Sequence, residues 1–118
     1  MSTDEDRSFE RRFYRAGVDF PVTVIVPGAE LILNGSAVDL SRGGMRLNTS
    51  TDLPAGQPIV LRFTLPSGER EILVRAKIAL TFFDASTKCY AHGVAFTQYT
   101  SSDIDRISAF VAARQPAS

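Results

Sequence analysis

The sequence predicts a mostly β protein, a six-stranded antiparallel β-barrel closed by one C-terminal α-helix. Three observations carry that prediction. Apolar residues recur at every second position through about six short runs, the pattern of strands that bury one face. Turn-forming residues punctuate these runs roughly every eight to fifteen positions, the spacing of small sandwiches and barrels. An amphipathic helical stretch comes last and needs a surface to dock on. With 118 residues, 44% of them hydrophobic, the chain suffices for one domain with its own core.

Residues 1–15 hold Asp4, Glu5, Asp6 and Glu10 beside Arg7, Arg11, Arg12 and Arg15, with few apolar groups to bury, and read as a flexible N-terminal arm. The folded unit is expected over residues 16–114, followed by a disordered tail at 115–118. Val22, Val24 and Val26 alternate with Pro21, Thr23 and Ile25 as a first strand, which Pro27-Gly28 ends. Leu31 to Leu33 and Ala37 to Leu40 are strand-like with Asn34-Gly35 between them, so local rules allow either a hairpin or a bulge within one longer strand. Ser41 to Gly44 is a turn whose two glycines are free to adopt positive φ, after which Met45 and Leu47 resume the alternation.

Ile59, Leu61, Phe63 and Leu65 face one way, and Pro66-Ser67-Gly68 turns the chain back. Ile72, Val74, Ala76, Ile78 and Leu80 then form an inner face against Glu71, Leu73, Arg75, Lys77 and Ala79 outside. Asp84 to Lys88 is a further turn, and Tyr90 to Gln98 the last strand. Ser101-Ser102-Asp103 is expected to cap a helix that buries Ile104, Ile107, Phe110 and Val111, with Asp103 and Asp105 at its positive end.

Composition excludes several functions. Lys plus Arg and Asp plus Glu each total 13, so no net field draws the chain to a nucleic acid polymer or an anionic membrane, and an anion site must be local. No apolar run approaches the ~20 residues of a membrane span. One cysteine, Cys89, cannot form an internal disulfide, and no signal-peptide pattern opens the chain, so a cytoplasmic location is expected. His92 and Cys89 are the unusual candidates for catalysis, but three residues apart on a strand they point to opposite faces. One His, one Cys and unclustered carboxylates do not make a metal site. His92 reads as a strand histidine near the barrel rim, and the protein as a non-enzyme without a cofactor.

Two stretches remain. Glu10 to Arg15 reads ERRFYR, three arginines in six residues that are either a solvated charge run or an anion grip. Val38 to Leu47 reads VDLSRGGMRL, where Asp39 and Ser41, two apart in an extended chain, can meet a single ligand and Gly44 removes a side chain from its path.

Arg11-x-x-x-Arg15 followed by Asp39-x-Ser41-x-x-Gly44 resembles the paired signature of the PilZ domain family, in order and at a typical separation, over roughly residues 10–111. The resemblance implies a receptor for cyclic di-GMP that passes its state to an unidentified protein partner. It also places the first turn at Pro27-Gly28 and keeps Asn34-Gly35 inside the second strand region. Arg11 and Arg15 match the ligand-gripping positions, with Arg12 as an auxiliary contact and Asp39, Ser41, Gly43 and Gly44 as the turn that holds the nucleotide. The chemistry suits the ligand, because a guanidinium fork bonds phosphate oxygens or the guanine O6/N7 edge and stacks on purines. Family members often place a bulky residue near the ligand on a later strand, and Leu80 or Phe82 is its rough counterpart. The alternatives are a PilZ-like adaptor that binds no nucleotide and a barrel that binds oligonucleotides, the latter disfavoured by zero net charge and scattered aromatics.

Overall fold

Alternating apolar runs do become strands in the computed structural model, which describes residues 14–68 and 70–116. Among these residues the chain forms β1 (Ala16–Val26), β2 (Leu31–Ser41), β3 (Gly44–Thr49), β4 (Pro58–Phe63), β5 (Ile72–Asp84), β6 (Cys89–Gln98) and α1 (Ser101–Arg114). The strands close into a barrel in the order β1-β2-β3-β6-β5-β4, each pair antiparallel. Closure leaves the inward residues of every strand facing one core, in which Val24, Leu40, Met45, Leu47, Leu61, Ile72 and Ile78 are fully buried. Each such side chain contributes ~1.5–3 kcal/mol relative to an exposed one.

The first turn falls at Pro27-Gly28, where Gly28 takes φ +83°, a conformation that a Cβ would strain. Asn34-Gly35 lies inside β2. A Cβ on Gly35 would come within 2.9 Å of Leu47 Cδ1 and 3.0 Å of the Asn48 carbonyl, so the glycine is there to let β3 lie close across it.

Three local expectations are revised. Leu80 is 51% exposed rather than inward, because a register shift between Ile78 and Leu80 against β6 turns the strand over and brings Thr81 to the inner side. Thr100, not Ser101-Ser102-Asp103, caps α1: its hydroxyl accepts from the Asp103 amide at 3.1 Å. Asp103 lies in the first turn, where its carboxylate pairs with Arg106. The glycines of the β2–β3 turn do not take positive φ.

α1 packs its buried residues Ile104, Ile107, Phe110 and Val111 against β2 and β5. Arg106 fastens it to the Arg70 carbonyl, and the Tyr14 hydroxyl donates to the Arg114 carbonyl at 3.2 Å. The chain therefore enters β1 already held to the end of the helix.

Candidate functional site

β2 and β3 carry the site because their short turn brings Asp39 and Arg46 side by side on the outer wall. A register shift between Ala37 and Asp39 re-aims the carboxylate, the usual effect of a bulge. Its Oδ1 accepts from Arg15 Nη2 at 2.7 Å, from Arg15 Nε at 3.2 Å and from the Arg46 amide at 3.1 Å. Among the described residues no donor reaches Oδ2. The pair is partly open, with side-chain exposures of 34% for Arg15 and 25% for Asp39, so both groups can still be reached from solvent.

Ser41 is buried in the turn. Its hydroxyl accepts from the Gly43 amide at 3.2 Å and donates to the Gly44 carbonyl at 3.3 Å, which fixes the turn's shape. The Gly43 carbonyl in turn accepts from the Phe96 amide of β6 at 2.9 Å. Gly44 has a sharper requirement, since a Cβ there would lie 2.0 Å from the Val94 carbonyl oxygen. Its missing side chain admits β6 rather than a ligand.

The structure thus brings Arg15, Asp39, Ser41, Gly43 and Gly44 together, while Arg11 and Arg12 lie outside the described residues. Arg15, expected on an unpacked arm, is held by Asp39, and Tyr14 beside it packs on the core. Sequence reasoning missed Arg46 and left Phe82 unassigned. Register aligns Asp39, Arg46, Gly93 and Leu80 across β2, β3, β6 and β5, and the Arg46 guanidinium sits 5.4 Å from the centre of the Phe82 ring. Gly93 leaves this wall bare between a cation and an exposed aromatic. The available signal was parity: with Met45 and Leu47 inward, Arg46 had to point out beside Asp39.

His92 faces the barrel interior, close to the end of β3. It is fully buried, with Nε2 2.8 Å from Thr49 Oγ1 and Nδ1 2.8 Å from Thr81 Oγ1. Those hydroxyls reach the Thr51 and Leu53 carbonyls, so the ring ties β3, β5 and β6 to the connection that leads into β4. Burial pulls its pKa below the ordinary value, against the opposing pull of the Thr51 backbone and the Asp52 carboxylate. Every polar atom of the ring has a partner, as a structural histidine requires. Among the described residues no group of three or more His, Cys, Asp or Glu could hold a metal ion. No helix among them is long and apolar enough to cross a membrane.

The architecture is a closed six-stranded barrel with one carboxylate, Asp39, held between Arg15 and the backbone of Arg46 on its outer wall. The chain belongs to the PilZ domain family, whose sequence pattern matches residues 5–113 and so takes in both arginine and turn motifs. PilZ domains are receptor and adaptor modules, not enzymes. No curated protein sequence matches the chain. Among solved structures, the Bacillus subtilis inhibitor of motility (MotI/DgrA) is similar at TM-score 0.78 and 17% identity, covering 88% of this chain and 50% of its own. The present chain therefore spans half the length of that protein. The PilZ domain of YcgR from Escherichia coli, solved with c-di-GMP, is similar at TM-score 0.66 and 13% identity over 88% of this chain and 90% of that one. The PilZ domain of CeSA from a cellulose-synthesizing bacterium reaches TM-score 0.61 and 22% identity over 84% and 95% of the two chains. At these identities the likeness speaks for the fold.

Proposed function

We propose that this chain is a cytoplasmic cyclic di-GMP receptor whose ligand is gripped between Arg11, Arg12 and Arg15 on one side and the Asp39–Gly44 turn on the other. The observation that carries the reading is the Arg15–Asp39 pair, which joins the two halves of the family's signature at 2.7 Å on an accessible wall. The YcgR domain solved with c-di-GMP supports the choice of ligand. In this reading the guanidinium forks bond the phosphodiester oxygens or the guanine O6/N7 edge. Asp39 Oδ2 accepts from guanine N–H groups, an option that adenine's edge does not offer equally. Ser41 acts by holding the turn, Gly43 brings its backbone close to the nucleotide, and Gly44 acts by letting β6 close in behind it. Arg46 and the exposed Phe82 ring offer a cation and a stacking surface on the same wall.

Ligand contacts to Arg11 and Arg15 tie residues 1–15 across the barrel, and the composite of segment, ligand and wall is the surface that a protein partner reads. Binding thereby changes what the domain displays without any covalent step. Calorimetric titration with cyclic di-GMP, alongside GTP and a short single-stranded oligonucleotide, tests the assignment. Saturable binding of cyclic di-GMP alone is expected, and no heat with cyclic di-GMP would refute it.

A further inference from the structure

α1 and the turn after β4 leave an open groove between them. Ala109 and Ala113, one helical turn apart and both exposed, are too small to fill the space beside Pro66, so the buried Phe110 and Leu65 floor a hollow of about 480 Å³. A second hollow of about 450 Å³ shares Pro66, Phe110 and Arg114 with the first and continues to Val18 and Asp19 of β1 and Val38 of β2. Among the described residues, the charged groups lining the first hollow are Arg106 and Arg114, and the second adds Asp19. Arg106 is engaged by Asp103 and the Arg70 carbonyl, whereas neither Arg114 nor Asp19 has a partner of opposite charge among those residues.

The described chain begins beside this groove. The Tyr14 hydroxyl donates to the carbonyl of Arg114, a residue that lines both hollows. The thirteen residues before Tyr14 contain two aromatics, Phe9 and Phe13, with Glu10, Arg11 and Arg12 between them. Phe13 adjoins the stem. Phe9 can lie up to ~17 Å from Tyr14, whereas Phe110 stands only ~6 Å along α1 from Arg114, so its ring reaches the first hollow with slack. Glu10 and Arg12 carry the signs that Arg114 and Asp19 lack. A space that holds one or two aromatic side chains is far below the ~800 Å² per partner of a standard interface. A segment tethered at Tyr14 needs no such area, because its effective concentration is in the millimolar range and a weak contact is then populated.

We propose that residues 9–13 dock in this groove in the free protein, with Phe9 seated against Phe110 and the two alanines, Phe13 in the second hollow, Glu10 beside Arg114 and Arg12 beside Asp19. The docked segment is a resting state that withholds Arg11 and Arg12 from the Asp39 wall, a role that rests on the cyclic di-GMP reading above. Ligand and groove then compete for one segment. Seating two side chains leaves the segment's amides on water, so they exchange rapidly until the ligand engages them. If the groove holds the segment for about four-fifths of the time, binding is weakened about fivefold.

Methyl NMR of the full chain, labelled at alanine, tests the docking, because an aromatic ring beside Ala109 and Ala113 displaces their resonances. Phe9→Ser, checked for an unchanged thermal melt, should move both resonances, and Glu10→Arg should move them the same way. Saturating cyclic di-GMP should bring the wild type to the positions of the Phe9→Ser variant, and that variant should bind the ligand about fivefold more tightly in a calorimetric titration. Resonances that Phe9→Ser leaves unmoved overturn the docking. Resonances that move in the variant while its affinity is unchanged, or that saturating ligand leaves in place, overturn the resting state and support the docking alone. Resonances that respond to Phe9→Ser in a chain that gives no heat with cyclic di-GMP support the docking and overturn the receptor reading, and the resting state with it.

Discussion

Replacing Arg15 by alanine separates the stability of the barrel from its grip on a ligand. In the free protein the substitution removes two hydrogen bonds to Asp39 Oδ1, at 2.7 and 3.2 Å. The Arg46 amide still donates to that oxygen at 3.1 Å, and the carboxylate is open to water, so no polar group is stranded. With roughly a third and a quarter of the two side chains exposed, the pair is screened and contributes ~0.5–1 kcal/mol. For a domain of this length that corresponds to a fall in Tm of about 2–4 °C. Ligand binding should suffer more, since losing one bidentate contact costs ~1–3 kcal/mol, a Kd for cyclic di-GMP weaker by roughly fivefold to 150-fold. Arg15→Lys keeps the charge but not the fork and should fall between the two. Calorimetric titration and a thermal melt on the same samples decide the matter. Unchanged affinity in Arg15→Ala refutes the assignment of this arginine, and a Tm loss beyond about 10 °C refutes the claim that its role in the free fold is minor.

Gly44→Ala should cost ~2–4 kcal/mol, seen as a lower urea midpoint, because its Cβ meets the Val94 carbonyl oxygen at 2.0 Å and β3 must move away from β6; a midpoint like the wild type's contradicts that packing. Asp39 should favour guanine: cyclic di-AMP binds far more weakly, Asp39→Asn retains binding of cyclic di-GMP at reduced affinity, and equal affinity for the two dinucleotides would show that the wall reads phosphates alone. His92 makes stability depend on acid. Its folded pKa lies below the unfolded value, so its contribution is fully present above about pH 6.5 and is lost as pH falls from there through the folded pKa, at no more than ~1.4 kcal/mol per pH unit. Denaturant titrations from pH 7.5 to 5 should therefore show a decline that His92→Gln flattens, and an unchanged slope in the variant would assign the decline to other groups.

The barrel was legible because its strands bury one face each, and a period of two survives in the sequence wherever that holds. It failed at Leu80, where one extra residue against β6 reverses the parity, and a bulge has no composition of its own. The roles of Gly35 and Gly44 are set by strands from elsewhere in the chain: the glycines are visible in sequence, but the Leu47 and Val94 atoms that require them are not. Ser41 and Asp39 seemed to share a ligand-facing side, yet the tight turn draws Ser41 inward while Asp39 stays on the wall. His92 was read as a strand histidine, but its bonds to Thr49 and Thr81 come from strands 43 and 11 residues away. The Arg15–Asp39 contact likewise spans 24 residues and rests on the β1–β2 register, which no local pattern states.

Hydrogen exchange read across residues 8–16 and 38–46, in the free chain and at saturating cyclic di-GMP, tests the central claim most directly. If the arginine segment and the Asp39–Gly44 turn grip one nucleotide between them, amides in both segments should exchange more slowly in the complex, while the β4–β5 hairpin stays unchanged. Saturation that leaves residues 8–16 exchanging at the free rate would contradict the account, even with cyclic di-GMP bound.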